Sequence, residues 1–307
     1  MEKEIKVFIS TTTFGQYDNA PLKTLAMKGL TAVTNPYARK MTGAECIEAF
    51  KDIAGLIAGT EPLTEDVLES AKSLKAISRC GTGLDNVDLD AAKRLGITVF
   101  NTPDAPTAAV AELTVGLMVS LLRKVGLMDG EMRRGLWQKK MGNLLGGKRV
   151  GIVGFGRIGR RVAELLLPFG CEVAYTDPLV DRGESFRRMS LEELLGWADI
   201  VSLHLSARTR IIGEAELRAM KKGAWLINLS RGAVVDEAAL EGCLRDGRLS
   251  GAALDVFEKE PYQGGLSGLE NVILTPHIGS YAMETRIAME KQAVENLLRG
   301  LKEAGVI

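Results

Sequence analysis

The sequence predicts an α/β protein made of two consecutive doubly wound parallel-sheet domains. Short apolar runs alternate with longer amphipathic segments along the whole chain, the pattern of βαβ units. The alternation comes as two successive series with a long apolar segment between them. At 307 residues the chain has enough length for two cores.

In the first series the expected strands are residues 6–10, 32–35, 55–59, 74–78 and 97–100, each a short run of β-branched and aliphatic residues. Between them, residues 43–53, 64–71 and 89–95 show helical spacing. Residues 107–123 form a long helix that is apolar nearly all round, which predicts burial between domains or subunits. A polar, basic stretch follows over 130–148, containing "MRRGLWQKK". The second series has expected strands at 149–154, 172–177, 199–205, 224–229, 252–256 and 272–275, and the chain closes with a helix over 281–303. With the two long helices as crossovers, hinges fall near Phe100 and Met283. Residues 1–99 with 284–307 then make one domain and 100–283 the other.

Composition narrows the function. Hydrophobic residues make up 46% and charged residues 25%, the balance of a soluble globular protein. Lys+Arg and Asp+Glu are equal at 39 each, which argues against a nucleic-acid partner and gives no support for electrostatic membrane binding. The N-terminus, MEKEIKVFIS, lacks the apolar stretch of a signal peptide. The most apolar run, 108–122, contains Glu112 and is too short to span a bilayer. Cys46, Cys80, Cys171 and Cys243 are scattered with no CxxC pair, so neither a disulfide framework nor a metal site is expected, and a reducing cytoplasm is.

"RVGIVGFGRIGRRVAELL" places Gly154, Gly156 and Gly159 in GxGxxG spacing, after an expected strand and opening an expected helix. The next strand ends in Asp177, roughly twenty residues on, the full context of a dinucleotide fingerprint. Gly154 permits the tight turn, Gly156 lets the backbone approach a pyrophosphate, and Gly159 allows helix and strand to pack closely. The helix N-terminus offers free N–H groups to the phosphates. Asp177 accepts hydrogen bonds from ribose hydroxyls and repels a 2′-phosphate, so NAD is expected rather than NADP. Arg182, nearby in sequence, is a possible compensating cation. The second domain is therefore expected to be of the Rossmann type and the first flavodoxin-like, with a cleft between them.

In an open parallel sheet, ligands sit beyond the carboxyl ends of the strands. Those ends in the second series carry the glycine turn, Asp177, His204, Ser230–Arg231, Asp255 and His277, with Glu260 in the loop after Asp255. The set suits hydride exchange with a 2-keto or 2-hydroxy acid. Arg231 is a planar cation for the carboxylate and carbonyl. His277 is the proton donor and acceptor. Glu260 is the carboxylate that orients the imidazole and favours its charged form. Bland readings stand beside these: Arg231 as a loop bridge, His277 as a core histidine, Glu260 as a solvated acid. For His204, inside "VSLHLS", packing or lining of the cofactor groove is the preferred reading.

The sequence resembles the D-isomer-specific 2-hydroxyacid dehydrogenases, and within them the phosphoglycerate dehydrogenase branch. The likeness is carried by "SRCGTGLDNVDLDAAKRLGITVFNTP", "GFGRIGRRVAELL", "INLSRGAVVDEAAL" with Arg231, "AALDVFEKEP" with Glu260 and "NVILTPHIGS" with His277. The resemblance implies that the backbone of Gly81, Thr82 and Gly83 holds the substrate carboxylate and that Arg157 and Ile158 contact the pyrophosphate. It also implies that Leu229, Ser230 and Arg231 line the nicotinamide and that Asp255 binds its carboxamide. It implies a homodimer embraced through the segment around Trp137. Cys80 before the glycines departs from the family pattern, as does "HLSARTR", which puts contacts of Ser206 and Thr209 in doubt. The sequence ends at Ile307, so no C-terminal regulatory domain, and no serine feedback through one, is expected.

The expected substrate is D-3-phosphoglycerate, oxidised to 3-phosphohydroxypyruvate in serine biosynthesis, with Arg79, Lys139 and Lys140 as cations for its phosphate. Glyoxylate, hydroxypyruvate or another 2-keto acid is the alternative. A reading of a different class is an NAD(H)-sensing, co-repressor-like binding protein.

Overall fold

The computed structural model describes residues 4–181 and 185–307. Its contacts divide the chain into two compact units, one running to Pro106 and resuming at Ser280, the other Thr107–Gly279.

Among the described residues, unit 1 contains a five-stranded sheet with order β2-β1-β3-β4-β5. Its strands are β1 (Ile5–Ile9), β2 (Leu30–Thr34), β3 (Gly55–Ala58), β4 (Ala76–Arg79) and β5 (Thr98–Asn101), all paired in parallel. Its helices are α1 (Ala20–Met27), α2 (Gly43–Ala49), α3 (Glu65–Ser70) and α4 (Leu89–Arg94), completed by the chain's last helix, α11 (Met283–Glu303). Alternate residues of each strand feed opposite faces. Phe8, Leu56 and Ile77 join one core with α2, α3 and α4, while Val7, Ile9 and Ala76 join the other with α1 and α11. Helix α11 presents Met289, Ala293, Val294, Leu297 and Leu301 at helical spacing to that second face. Gly300 lets it approach β4, because a Cβ there would reach 2.8 Å from the Cβ of Ala76. Helix α1 and the early start of β2 are additions to the sequence reading.

Unit 2 carries a seven-stranded sheet, order β12-β11-β10-β9-β6-β7-β8, again wholly parallel. The helices α5 (Pro106–Leu122) and α6 (Val125–Arg133) precede it. Its elements then run β6 (Arg149–Val153), α7 (Arg157–Leu166), β7 (Glu172–Thr176), β8 (Arg187–Arg188), α8 (Leu191–Trp197) and β9 (Ile200–Leu203). They continue through α9 (Glu214–Ala219), β10 (Ala224–Asn228), α10 (Glu237–Arg245), β11 (Leu249–Leu254) and β12 (Val272–Leu274). One face packs against α5 and α7 through Val150, Ile152, Tyr175, Ile200 and Ile227; the other packs against α8, α9 and α10 through Val201, Leu203, Leu226 and Leu254. Capping residues define helix starts: Ser190 forms a capping box with Glu193, and Asp236 accepts from Ala239 N.

One boundary is corrected, and two segments gain detail. Phe100 and Asn101 belong to unit 1, because β5 pairs with β4 and Thr102 exchanges hydrogen bonds with Gly81. The apolar helix α5 is buried against its own sheet, with Val110, Ala111, Leu117, Met118 and Leu121 in that core. The first part of the polar stretch is the helix α6, entered through Lys124 in a left-handed conformation. No described helix is long and apolar enough to cross a membrane.

Candidate active site

Parallel strands of one sheet end on one edge, and in unit 2 that edge collects the polar residues singled out in the sequence. The glycine turn follows β6. Gly154 has φ +92°, and a Cβ there would lie 2.5 Å from the carbonyl oxygen of His204. A Cβ on Gly159 would collide with the Gly154 carbonyl, so helix and strand meet only because both residues are glycine. Around Gly156 the situation is reversed: no described atom lies within 4 Å of the place a Cβ would take. That open space sits at the N-terminus of α7, where Arg157 is exposed and Ile158 half-buried. The arrangement fits a dinucleotide: a bare backbone, the N-terminus of a helix and room for phosphate.

Asp177 ends β7. Its Oδ2 accepts from Phe155 N in the glycine turn at 2.6 Å and its Oδ1 from Leu179 N at 2.8 Å, so the carboxylate is locked beside the turn. It borders an open hollow of about 450 Å³ with Pro178, Arg188, Met189, Ser190 and Glu193. Arg188 donates to the Asp177 carbonyl at 3.1 Å. Arg182 lies outside the described residues.

His204 follows β9. Its Nε2 lies 2.8 Å from Ser202 Oγ, and its buried Nδ1 has no partner among the described residues. Burial pushes its pKa down to about 3, so the ring is neutral at physiological pH. This agrees with a packing role and leaves His277 as the histidine available for proton transfer.

Beyond β10, Leu229 and Ser230 are buried and Arg231 is half-buried. Asn228, 1% exposed, ties this corner together. Its Oδ1 accepts from Ser230 N and Oγ, and its Nδ2 donates to the Arg231 carbonyl. Arg231 Nη1 donates to the Ser230 carbonyl at 2.8 Å. The next residue, Gly232, packs on the Phe257 backbone so tightly that a Cβ would collide with it. The loop carrying Arg231 is thereby pinned to the loop carrying Glu260.

His277 and Glu260 meet. Nδ1 of His277 lies 2.9 Å from Oε2 and 3.1 Å from Oε1 of Glu260, and Glu260 Oε1 also accepts from Phe257 N at 3.2 Å. His277 adopts φ +53°, a left-handed conformation that costs a non-glycine residue about 1–2 kcal/mol. Both side chains are well exposed, and exposed ion pairs are worth about 0–1 kcal/mol.

Asp255, 1% exposed, binds the turn around His277. Its Oδ1 accepts from Thr275 Oγ1 at 2.6 Å and Ile278 N at 2.8 Å, and its Oδ2 from Gly279 N at 2.7 Å. The structure thus gives Asp255 a bond to each side of His277. Asn228, Gly232 and Thr275 were missed as site residues. Each lies inside a quoted motif, but only its long-range partner reveals its part.

In unit 1, Gly81 has φ +144°, and its N–H donates to Thr102 Oγ1 at 2.7 Å. Thr82 is exposed, its carbonyl accepting from Asn101 Nδ2, and Gly83 is half-buried. Arg79 folds over Gly81 and donates to the Cys80 carbonyl at 2.7 Å. Burial pushes the Cys80 thiol up to about 11, so it is not a thiolate at neutral pH. In unit 2, Lys139 is exposed and Lys140 pairs with Glu131 at 3.0 Å. Among the described residues no group of three or more His, Cys, Asp or Glu side chains is placed to hold a metal ion.

Comparison with known proteins identifies the lineage. Residues 115–279 match the family model for the D-isomer specific 2-hydroxyacid dehydrogenase, NAD binding domain. A D-3-phosphoglycerate dehydrogenase of Methanocaldococcus jannaschii is 40% identical over 86% of this chain; the chain spans only 53% of that relative's length. A glyoxylate reductase of Aeropyrum pernix is 42% identical over 78% of this chain and 77% of its own. A solved structure of a Thermus thermophilus protein superposes with a TM-score of 0.91 at 38% identity, covering 97% of each chain. By this agreement of sequence and fold, the chain belongs to the D-isomer specific 2-hydroxyacid dehydrogenase family.

Proposed function

We propose that this protein is an NAD-dependent oxidoreductase acting on a D-2-hydroxy acid or the corresponding 2-keto acid. The observation that carries the reading is Glu260 at 2.9 Å from Nδ1 of His277, which reserves Nε2 for the substrate. Bound NAD supplies the hydride acceptor, and in its reduced form the donor. Arg231 holds the substrate carboxylate and polarises the carbonyl. Nε2 of His277 accepts the hydroxyl proton in oxidation and returns it in reduction, while Glu260 stabilises the imidazolium through Nδ1. Gly154, Gly156, Arg157, Ile158 and Gly159 receive the pyrophosphate, Asp177 the adenosine ribose, and Leu229, Ser230 and Asp255 the nicotinamide end. Unit 1 is assigned to substrate, with the backbone of Gly81, Thr82 and Gly83 holding the carboxylate through the N–H groups of Thr82 and Gly83, because that of Gly81 donates to Thr102 Oγ1.

The substrate proposed first is D-3-phosphoglycerate, with Arg79, Lys139 and Lys140 as the cations for its phosphate. A second reading, reduction of glyoxylate or hydroxypyruvate, is favoured by the ion pair of Lys140 with Glu131, which offsets the charge of one of those cations. NADH oxidation measured with phosphohydroxypyruvate, hydroxypyruvate and glyoxylate decides between them. A phosphate site gives a strong preference for phosphohydroxypyruvate over hydroxypyruvate, and Arg79→Ala erases much of it. Equal efficiencies assign the second reading, and no turnover with any 2-keto acid overturns the enzymatic one.

We also propose a homodimer. The segment after α6 exposes Trp137 at 77%, Met141 at 90% and Leu144 at 72%, an apolar surface suited to a second copy. A monomer by sedimentation at micromolar concentration would overturn this.

A further inference from the structure

A left-handed, non-glycine residue persists only where neighbouring bonds over-determine it. At His277 these bonds converge on Thr275. The Thr275 N–H donates to the Leu254 carbonyl at 3.0 Å, continuing the register of β12 on β11. Its carbonyl accepts from His277 N at 3.0 Å. Its hydroxyl donates to Asp255 Oδ1 at 2.6 Å. Asp255 in turn accepts from Ile278 N and Gly279 N, the two residues after His277. The backbone is therefore held on both sides of the histidine, by Thr275 before it and by Asp255 after it.

The hydroxyl has a specific task in this arrangement. Two of the three donors that reach the Asp255 side chain are backbone N–H groups of the turn itself. They move with the turn and cannot by themselves fix the carboxylate plane. The Thr275 hydroxyl is anchored to the sheet through its own backbone, so it fixes that plane relative to β11. If it is removed, the carboxylate is free to rotate, the turn to relax from φ +53°, and the imidazole to drift from Glu260.

We propose that Thr275 is a positioning residue for proton transfer, its hydroxyl orienting Asp255 so that His277 keeps Nδ1 on Glu260 and presents Nε2 to the substrate. The proposal rests on the reading of His277 as proton donor and acceptor.

Thr275→Val removes the hydroxyl and keeps the branched shape; Thr275→Ser keeps the hydroxyl. In Thr275→Val, kcat is expected to fall about 10- to 100-fold, the scale of a misplaced catalytic group, with a smaller change in NADH binding measured by fluorescence. Thr275→Ser should remain within about threefold of the wild type. A second readout needs no turnover. The chain has two histidines, so the Cε1–H NMR signal of His277 can be assigned by its loss in His277→Ala. That signal should move in Thr275→Val in the same direction as in Glu260→Gln, and stay in place in Thr275→Ser. An unmoved signal and unchanged kcat in Thr275→Val would overturn the proposal. So would a Thr275→Ser variant as impaired as Thr275→Val, which would assign the effect to the methyl group. Retained turnover in His277→Ala refutes the proton-transfer role instead, and the NMR comparison then still decides whether the hydroxyl positions the ring.

Discussion

Gly232 packs directly on the backbone of Phe257, and this one contact joins the loop that carries Arg231 to the loop that carries Glu260. Phe257 N donates to Glu260, and Glu260 meets His277. Arginine, glutamate and histidine come from three strand ends, yet their relative placement depends on a residue with no side chain. Gly232→Ala should force the loops apart. Overpacking of this kind costs about 1–3 kcal/mol, and kcat should fall along with the melting temperature. An alanine variant with wild-type stability and turnover would show that the loops yield freely.

His277→Ala should lower kcat by about 10²–10⁴, the range for a general acid–base, with NADH binding retained. Glu260→Gln removes the carboxylate that faces Nδ1 of His277, so kcat should fall in that variant as well. Steady-state kinetics check both, and an unchanged kcat in Glu260→Gln would separate the glutamate from the proton transfer.

We propose that Asp177 sets cofactor choice, its carboxylate being held beside the glycine turn by Phe155 N and Leu179 N. NADH should be used more efficiently than NADPH. Asp177→Ser should narrow the gap, because it removes the charge that opposes a 2′-phosphate. Comparison of kcat/KM for both cofactors tests this; equal efficiency in the unmodified protein would sink it.

His204 should make the protein acid-sensitive. Its folded pKa of about 3 is depressed below the unfolded value of 6.5, so the unfolded state binds a proton that the folded state refuses. Its contribution is full above pH 6.5 and is lost progressively as pH falls from 6.5 toward 3. Between about pH 7.5 and pH 5.5 the wild type should lose about 1.4 kcal/mol more than His204→Gln. Urea unfolding at the two pH values measures this, and equal losses would mean the ring accepts a proton in place.

Local signals in the chain specify the architecture and the cast of the site. Two series of βαβ alternation, the GxGxxG turn with Asp177 after the next strand, and the polar residues at strand ends can each be read within a short window. A parallel sheet converts them into a common edge because every strand points the same way. Contacts between residues distant in sequence settle the rest, and these became visible only in the folded chain. Asp255 reads as a cofactor ligand, and only the fold shows that Thr275, Ile278 and Gly279 also converge on it. Phe100 reads as a hinge until Thr102 bonds Gly81 and holds the strand in unit 1. Lys140 reads as an available cation until Glu131 engages it. Periodicity reports which face a residue occupies. It carries no record of which loops the register of neighbouring strands brings together, and those pairings set the orientation of each functional group.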